Sequence, residues 1–75
     1  MKNLHPGRIL FFEYIKPYEM SIKEVHQLTG IDIHTLRLFL MGKVDVNDNI
    51  ASKLSKIFET TSQYWLNLQE QYNKS

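Results

Sequence analysis

Apolar residues recur every three to four positions along nearly the whole chain, a spacing that predicts helices rather than strands. Ile9, Phe12 and Ile15, with Phe11 beside them, predict a first helix from about Arg8 to Lys16 with one apolar face. Pro17 ends it, since proline lacks the N–H to continue and disfavours helix in the residue before it. A second helix begins at Ser21, where Ser21 and Glu24 form an S-x-x-E capping box. Val25 and Leu28 are its expected inward residues. Gly30 closes it in the left-handed conformation, and Ile31 follows as the apolar residue that seals such an end.

The third helix starts at once, with Asp32 as N-cap. At 100° per residue, Ile33, Leu36, Phe39 and Leu40 share one side, while His34, Thr35, Arg37, Leu38 and Met41 share the other. Gly42 ends it. The short glycine-containing connection between the second and third helices is the turn of a helix-turn-helix. A fourth helix begins near Asn47, with Asp48 favourable beside the positive end of the dipole. Its stripe is Ile50, Ala51, Leu54, Ile57 and Phe58. The fifth is capped by Thr61; Tyr64, Trp65, Leu68 and Tyr72 share one face and Leu66 points away. Trp65 and its neighbours are read first as core. A terminal helix apolar on more than one side also makes Trp65, Leu66, Leu68 and Tyr72 a candidate dimer or partner surface. The β-like stretch GKVDVND is too short to predict a strand. The pattern is that of an all-α, five-helix domain spanning residues 1–75, with its helix-turn-helix at about 21–41 and an aromatic C-terminal helix at about 61–73.

Size and composition narrow the chemistry. Seventy-five residues make one domain. Such a chain buries only about 60% of its unfolded surface, so stability of a few kcal/mol is expected unless it oligomerises. There is no Cys, and His5, His26 and His34 lack the spacing of a zinc site. His26 is expected to pack between helices, and His5 to cap the first helix or lie at the surface beside Pro6. No G-x-S-x-G, Gly-rich phosphate loop or nucleophilic Cys is present, so neither enzyme activity, a cofactor nor a small-molecule ligand is expected. No run approaches the ~20 apolar residues of a membrane span, which predicts a soluble, cytoplasmic protein. A net charge of +1 rules no partner in.

The order "HPG", "SIKEVHQLTGIDIHTLRLFLMGK", "NIASKLSKIF", "TSQYWLNLQEQY" resembles the HigA-type antitoxins of bacterial addiction modules, members of the lambda-repressor-like helix-turn-helix class. The likeness runs from about His5 to Tyr72. His-Pro-Gly and Trp-Leu-Asn-Leu-Gln are its most particular parts. The resemblance implies a homodimer that represses its own operon by binding double-stranded operator DNA and holds a HigB-type toxin. It places Ile33, His34, Thr35, Arg37 and Leu38 at the base edges of the major groove, and Lys23, Lys43 and Asn47 near flanking phosphates. The chain departs from the pattern at Ile22, commonly Gln; at His26, usually Ala; at Leu38 and Met41, more often polar; and at Glu59, where a helix-ending Gly is usual.

Base reading needs donors and acceptors at groove edges, and Arg37 is the one strong candidate on the outer side. Thr35 and His34 add a hydrogen bond each; Ile33 and Leu38 suit thymine methyls. Two functions therefore stand: a DNA-binding autorepressor and antitoxin, or a protein-interaction module that keeps the helix-turn-helix as scaffold and uses its apolar outer side.

Overall fold

The computed structural model describes residues 3–75 and is all-helical there. Helix α1 (Pro6–Leu10) runs directly into a π-helical stretch, Phe11–Ile15; α2 (Ile22–Thr29), α3 (Ile33–Leu40), α4 (Asp48–Ile57) and α5 (Ser62–Lys74) follow. GKVDVND forms an irregular loop.

Four helix starts rest on side chains named from sequence. Ser21 and Glu24 complete the capping box of α2, at 3.1 and 3.0 Å. Asp32 accepts the His34 and Thr35 N–H groups, Asn47 the Ile50 N–H, and Thr61 the Tyr64 N–H. Each satisfies a donor that the first helical turn leaves without a partner. The first helix starts two residues earlier than predicted. Pro6 stands in its first turn, where a missing N–H costs nothing, and His5 Nδ1 accepts the Gly7 N–H at 2.9 Å.

Its buried face also differs from the prediction. Leu10 and Ile15 are the buried pair, while Ile9 is half-buried and Phe12 exposed. The π stretch explains this: the Lys16 N–H reaches back five residues to the Phe11 carbonyl, and the wider turn shifts the inward register by one. In α2 the predicted inward Leu28 is 52% exposed and Thr29 is buried instead. Thr29 lies four residues after buried Val25, and its hydroxyl donates to the Val25 carbonyl while accepting the Ile31 N–H. A satisfied hydroxyl takes the place assigned to an apolar side chain.

Trp65, Phe39, Leu36, Leu10, Ile50, Leu54 and Val25 form the centre of the core. Trp65 is fully enclosed, its indole N–H donating to Thr60 Oγ1 at 2.7 Å. It is therefore removed from the predicted partner surface, because nothing outside the domain can touch it. α1 packs on α3 and α5, α2 on α3 and α4, and α4 on α5. The third helix is thus backed by the first two, with its remaining side outward.

Candidate nucleic-acid interface

The two ends of α3 are held by different means. At its start, Gly30 turns the chain at φ 74° and Ile31 enters the core. The Ile31 carbonyl lies 2.6 Å from His26 Nδ1; a carbonyl only accepts, so Nδ1 carries the proton there. His26 is half-buried between helices, as expected from sequence. At the other end Gly42 adopts φ 79°, with the Gly42 N–H on the Phe39 carbonyl and the Lys43 N–H on the Leu38 carbonyl. That pair of bonds is a Schellman motif, which satisfies carbonyls the last helical turn would leave open.

Residues far away in sequence clamp this second end. Gly7 lies so close to the Phe39 carbonyl that a Cβ would overlap it. Arg8 Nη1 donates to the Leu40 carbonyl at 3.1 Å, and its guanidinium lies over the Phe11 and Phe12 rings at 5.3 and 5.0 Å. The buried His5 ring meets Phe39 and Tyr72 edge-on, at centroid distances of 5.7 and 5.0 Å. Behind the loop that follows α3, buried Gln69 accepts the Val46 N–H at 2.9 Å and donates to Asp45 and Asn73. The His-Pro-Gly and Trp-Leu-Asn-Leu-Gln segments thus converge on one place and fix where the helix ends.

His5 Nε2 is buried without a hydrogen-bond partner, 3.7 Å from Asp45 Oδ1. Because Nδ1 accepts from Gly7, the neutral ring carries its proton on Nε2. Burial pushes its pKa below the ordinary 6.5, and the Asp45 carboxylate and Val44 backbone oppose that shift.

On the outward side of α3, His34 and Arg37 are exposed, Met41 is 59% exposed, and Thr35 and Leu38 are half-buried; Ile33, at the start of the inward side, is half-buried as well. Lys23 is exposed in the first turn of α2, and Lys43 just beyond α3. Asn47 is exposed too, but its Oδ1 is engaged as the α4 cap, which leaves its amide N–H groups to donate outward. Thr35 and Asn47 share the wall of a groove of about 550 Å³ between the helix-turn-helix turn and the start of α4. Asn49 and Lys53 line it as well, and neither is named by the sequence reading. Their i, i+4 spacing on the first turns of α4 was the available signal. Lys53 Nζ donates to the Gly30 carbonyl at 3.3 Å and so sits beside the turn. The arrangement offers one guanidinium and one imidazole on a helix surface, with ammonium groups and side-chain amides around it. Among the described residues no group of three or more His, Cys, Asp or Glu stands ready for a metal ion. No helix there is long and apolar enough to cross a membrane.

No family model matches the chain. The uncharacterized HTH-type transcriptional regulator YbaQ of Escherichia coli K12 is 33% identical over 64 residues, 85% of this chain. That match spans 57% of YbaQ, so the chain corresponds to little more than half of the curated relatives it matches. Among solved structures, an addiction module antidote protein of the HigA family from Coxiella burnetii superposes with a TM-score of 0.91 at 32% identity, covering 99% of this chain and 80% of that one. The antitoxin HigA of Pseudomonas aeruginosa, solved with the higBA promoter, gives 0.90 at 25% identity, covering 97% and 79%.

Proposed function

The chain belongs to the HigA-type family of helix-turn-helix antitoxins, and from that membership we propose that it represses its own operon and neutralises a HigB-type toxin. It acts as a cytoplasmic homodimer on double-stranded DNA, one domain over residues 1–75, with no catalytic role. The observation that carries the DNA half is the outward side of α3. Arg37 and His34 are exposed on a helix whose far end is clamped by Gly7, Arg8 and the loop bound to Gln69. A reader of base edges must present donors on a rigid element, because a misplaced fork loses bidentate geometry. Arg37 reads guanine in this scheme, His34 and Thr35 add hydrogen bonds, and Ile33 and Leu38 meet thymine methyls. Lys23 and Lys43 meet phosphates, and the Asn47 amide group does so as a donor. Leu66, Leu68 and Tyr72, which keep part of their surface exposed on α5, supply a dimer or toxin surface.

Binding to the promoter fragment tests this reading. Lys23 and Lys43 on phosphates in each subunit of a dimer, four charges in all, give a slope of log K against log salt of roughly −3.6. Arg37→Ala is expected to remove about 1–3 kcal/mol of preference for the operator while leaving non-specific affinity in place. No retardation of that fragment at low salt would remove the DNA function. Exposed Met41 and Leu28 favour a second reading, in which the same outer side binds protein. Under it the salt slope vanishes and a toxin pull-down survives Arg37→Ala.

A further inference from the structure

A second groove, of about 270 Å³, is lined by Tyr14, Tyr18, Ile57, Phe58 and Glu59, none of which belongs to α2 or α3. Its walls are aromatic. The Tyr14 and Phe58 rings lie 5.3 Å apart, tilted at 55°, and Tyr14 is braced from behind by Trp65 at 5.9 Å. Tyr18 is 75% exposed, a ring left in water with little of the domain to cover it.

The groove also holds one carboxylate, Glu59, with exposed Lys56 a turn earlier on the chain and exposed Lys16 two residues before Tyr18. Among the described residues, Glu13, Glu19 and Glu59 have no Lys, Arg or His nitrogen at ion-pair distance; the ion pairs there are His5–Asp45 and Lys74–Glu70. The phenol of Tyr64, beside Trp65, has its pKa raised by burial first, then by Tyr14 and by the Glu13 carboxylate. Glu59 holds φ 52° in the turn after α4, a conformation that favours glycine. It also follows directly on the C-terminal, negative end of that helix's dipole. Aromatic faces and an unpaired carboxylate together attract a cation, through ring quadrupole and charge.

We propose that this groove is a docking site for one arginine side chain presented by a basic protein partner. The volume falls below the ~300–1,000 Å³ of pockets for drug-sized ligands and suits a single side chain. One lining carboxylate, with no cluster of three ligating groups among the described residues, does not make a metal site. A planar guanidinium both stacks on rings and pairs in a fork with a carboxylate, which an ammonium cannot do. The site goes beyond the DNA reading and stands or falls apart from it.

The test uses the full chain, labelled with 15N and titrated with the blocked peptide acetyl-Gly-Arg-Gly-amide, and in parallel with its citrulline counterpart. Saturable shifts at Tyr14, Tyr18, Phe58 and Glu59 with the arginine peptide and none with citrulline are expected. Glu59→Gly should weaken binding roughly fivefold, the upper range for an exposed ion pair. Tyr18→Ala should weaken it roughly two- to fivefold through the lost ring. Glycine suits the Glu59 backbone, so a loss of binding with unchanged or higher Tm separates the site from the fold. Equal shifts with citrulline, binding unaffected by both variants, or shifts gathered on α3 would overturn the proposal. So would binding of tetramethylammonium but not of the arginine peptide, which would make the groove a small-molecule site. Retardation of the promoter fragment should be the same for both variants and wild type.

Discussion

Among the described residues, four places turn through left-handed backbone, and they fall into two pairs. Gly30 and Gly42, at φ 74° and 79°, stand on either side of α3. Glu19 and Glu59, both at φ 52°, close the first helical stretch and α4 near the aromatic groove. Glycine enters this region without a steric penalty, whereas a residue with a Cβ loses roughly 1–2 kcal/mol. A carboxylate after a helix end adds repulsion from the dipole. Around α3, then, every turn is made by the residue that turns most easily, and the helix end is set by close backbone packing. Around the groove, two charges are kept where glycine would stabilise the fold. The first region is built for position and the second for charge.

The strongest way to break that contrast is Gly7→Ala. The new methyl has no free space, since the Phe39 carbonyl already occupies it, and backbone cannot swing aside as a flexible side chain can. We expect a loss of about 3 kcal/mol, the upper range of overpacking, most of what a domain this small holds. Urea unfolding measures it. A loss below about 1 kcal/mol would mean that the end of α3 is not clamped by this contact.

A milder pair sharpens the same contrast from both sides. Gly30→Ala meets no atom within 4 Å, so only its φ penalty counts, and a loss of about 1 kcal/mol is expected. Glu19→Gly should move the other way and stabilise by about 0.5 kcal/mol, the relief of strain less the added freedom of the unfolded chain. Midpoints of urea unfolding for the two variants, compared with wild type, must shift in opposite directions. A stabilising Gly30→Ala or a destabilising Glu19→Gly would erase the distinction drawn above.

How far the sequence reveals these regions depends on the range of the contacts involved. The caps at Ser21, Asp32, Asn47 and Thr61 and the turn at Gly30 involve residues two to four apart, and all were legible. The helix-turn-helix frame follows from them. The clamp joins Arg8 to Leu40 and Val46 to Gln69, pairs 32 and 23 residues apart, and no periodicity records such a pairing. The family resemblance marks His-Pro-Gly and Trp-Leu-Asn-Leu-Gln as its most particular parts, without showing that they meet. The buried face of the first helix departs from its apolar spacing because a π turn carries no apolar signature of its own. Leu28 stays outside because Thr29 takes the inward place through hydrogen bonds, which hydrophobic spacing does not record. On α3, exposure of His34 and Arg37 agrees with the assigned outer side, while Leu38 is half-buried and has less surface to offer than its wheel position suggests.

The smallest effect concerns pH, which probes the clamped side through His5. Its Nδ1 accepts the Gly7 N–H only while unprotonated, so protonation removes the cap of α1. Burial holds the folded pKa below 6.5, against the pull of Asp45. The unfolded chain therefore takes up a proton at higher pH than the folded one. Stability from this group is complete above 6.5, begins to fall as pH drops through that value, and levels off once pH lies below the folded pKa. Amide exchange at Gly7, corrected for its intrinsic pH dependence, should speed up across the same window. His5→Asn keeps an acceptor for the Gly7 N–H, since Asn is among the best N-caps, but cannot titrate. In that variant the His5 contribution to the slope should disappear. If the slope survives, the pH response belongs to other groups, and His5 serves the clamp by packing alone.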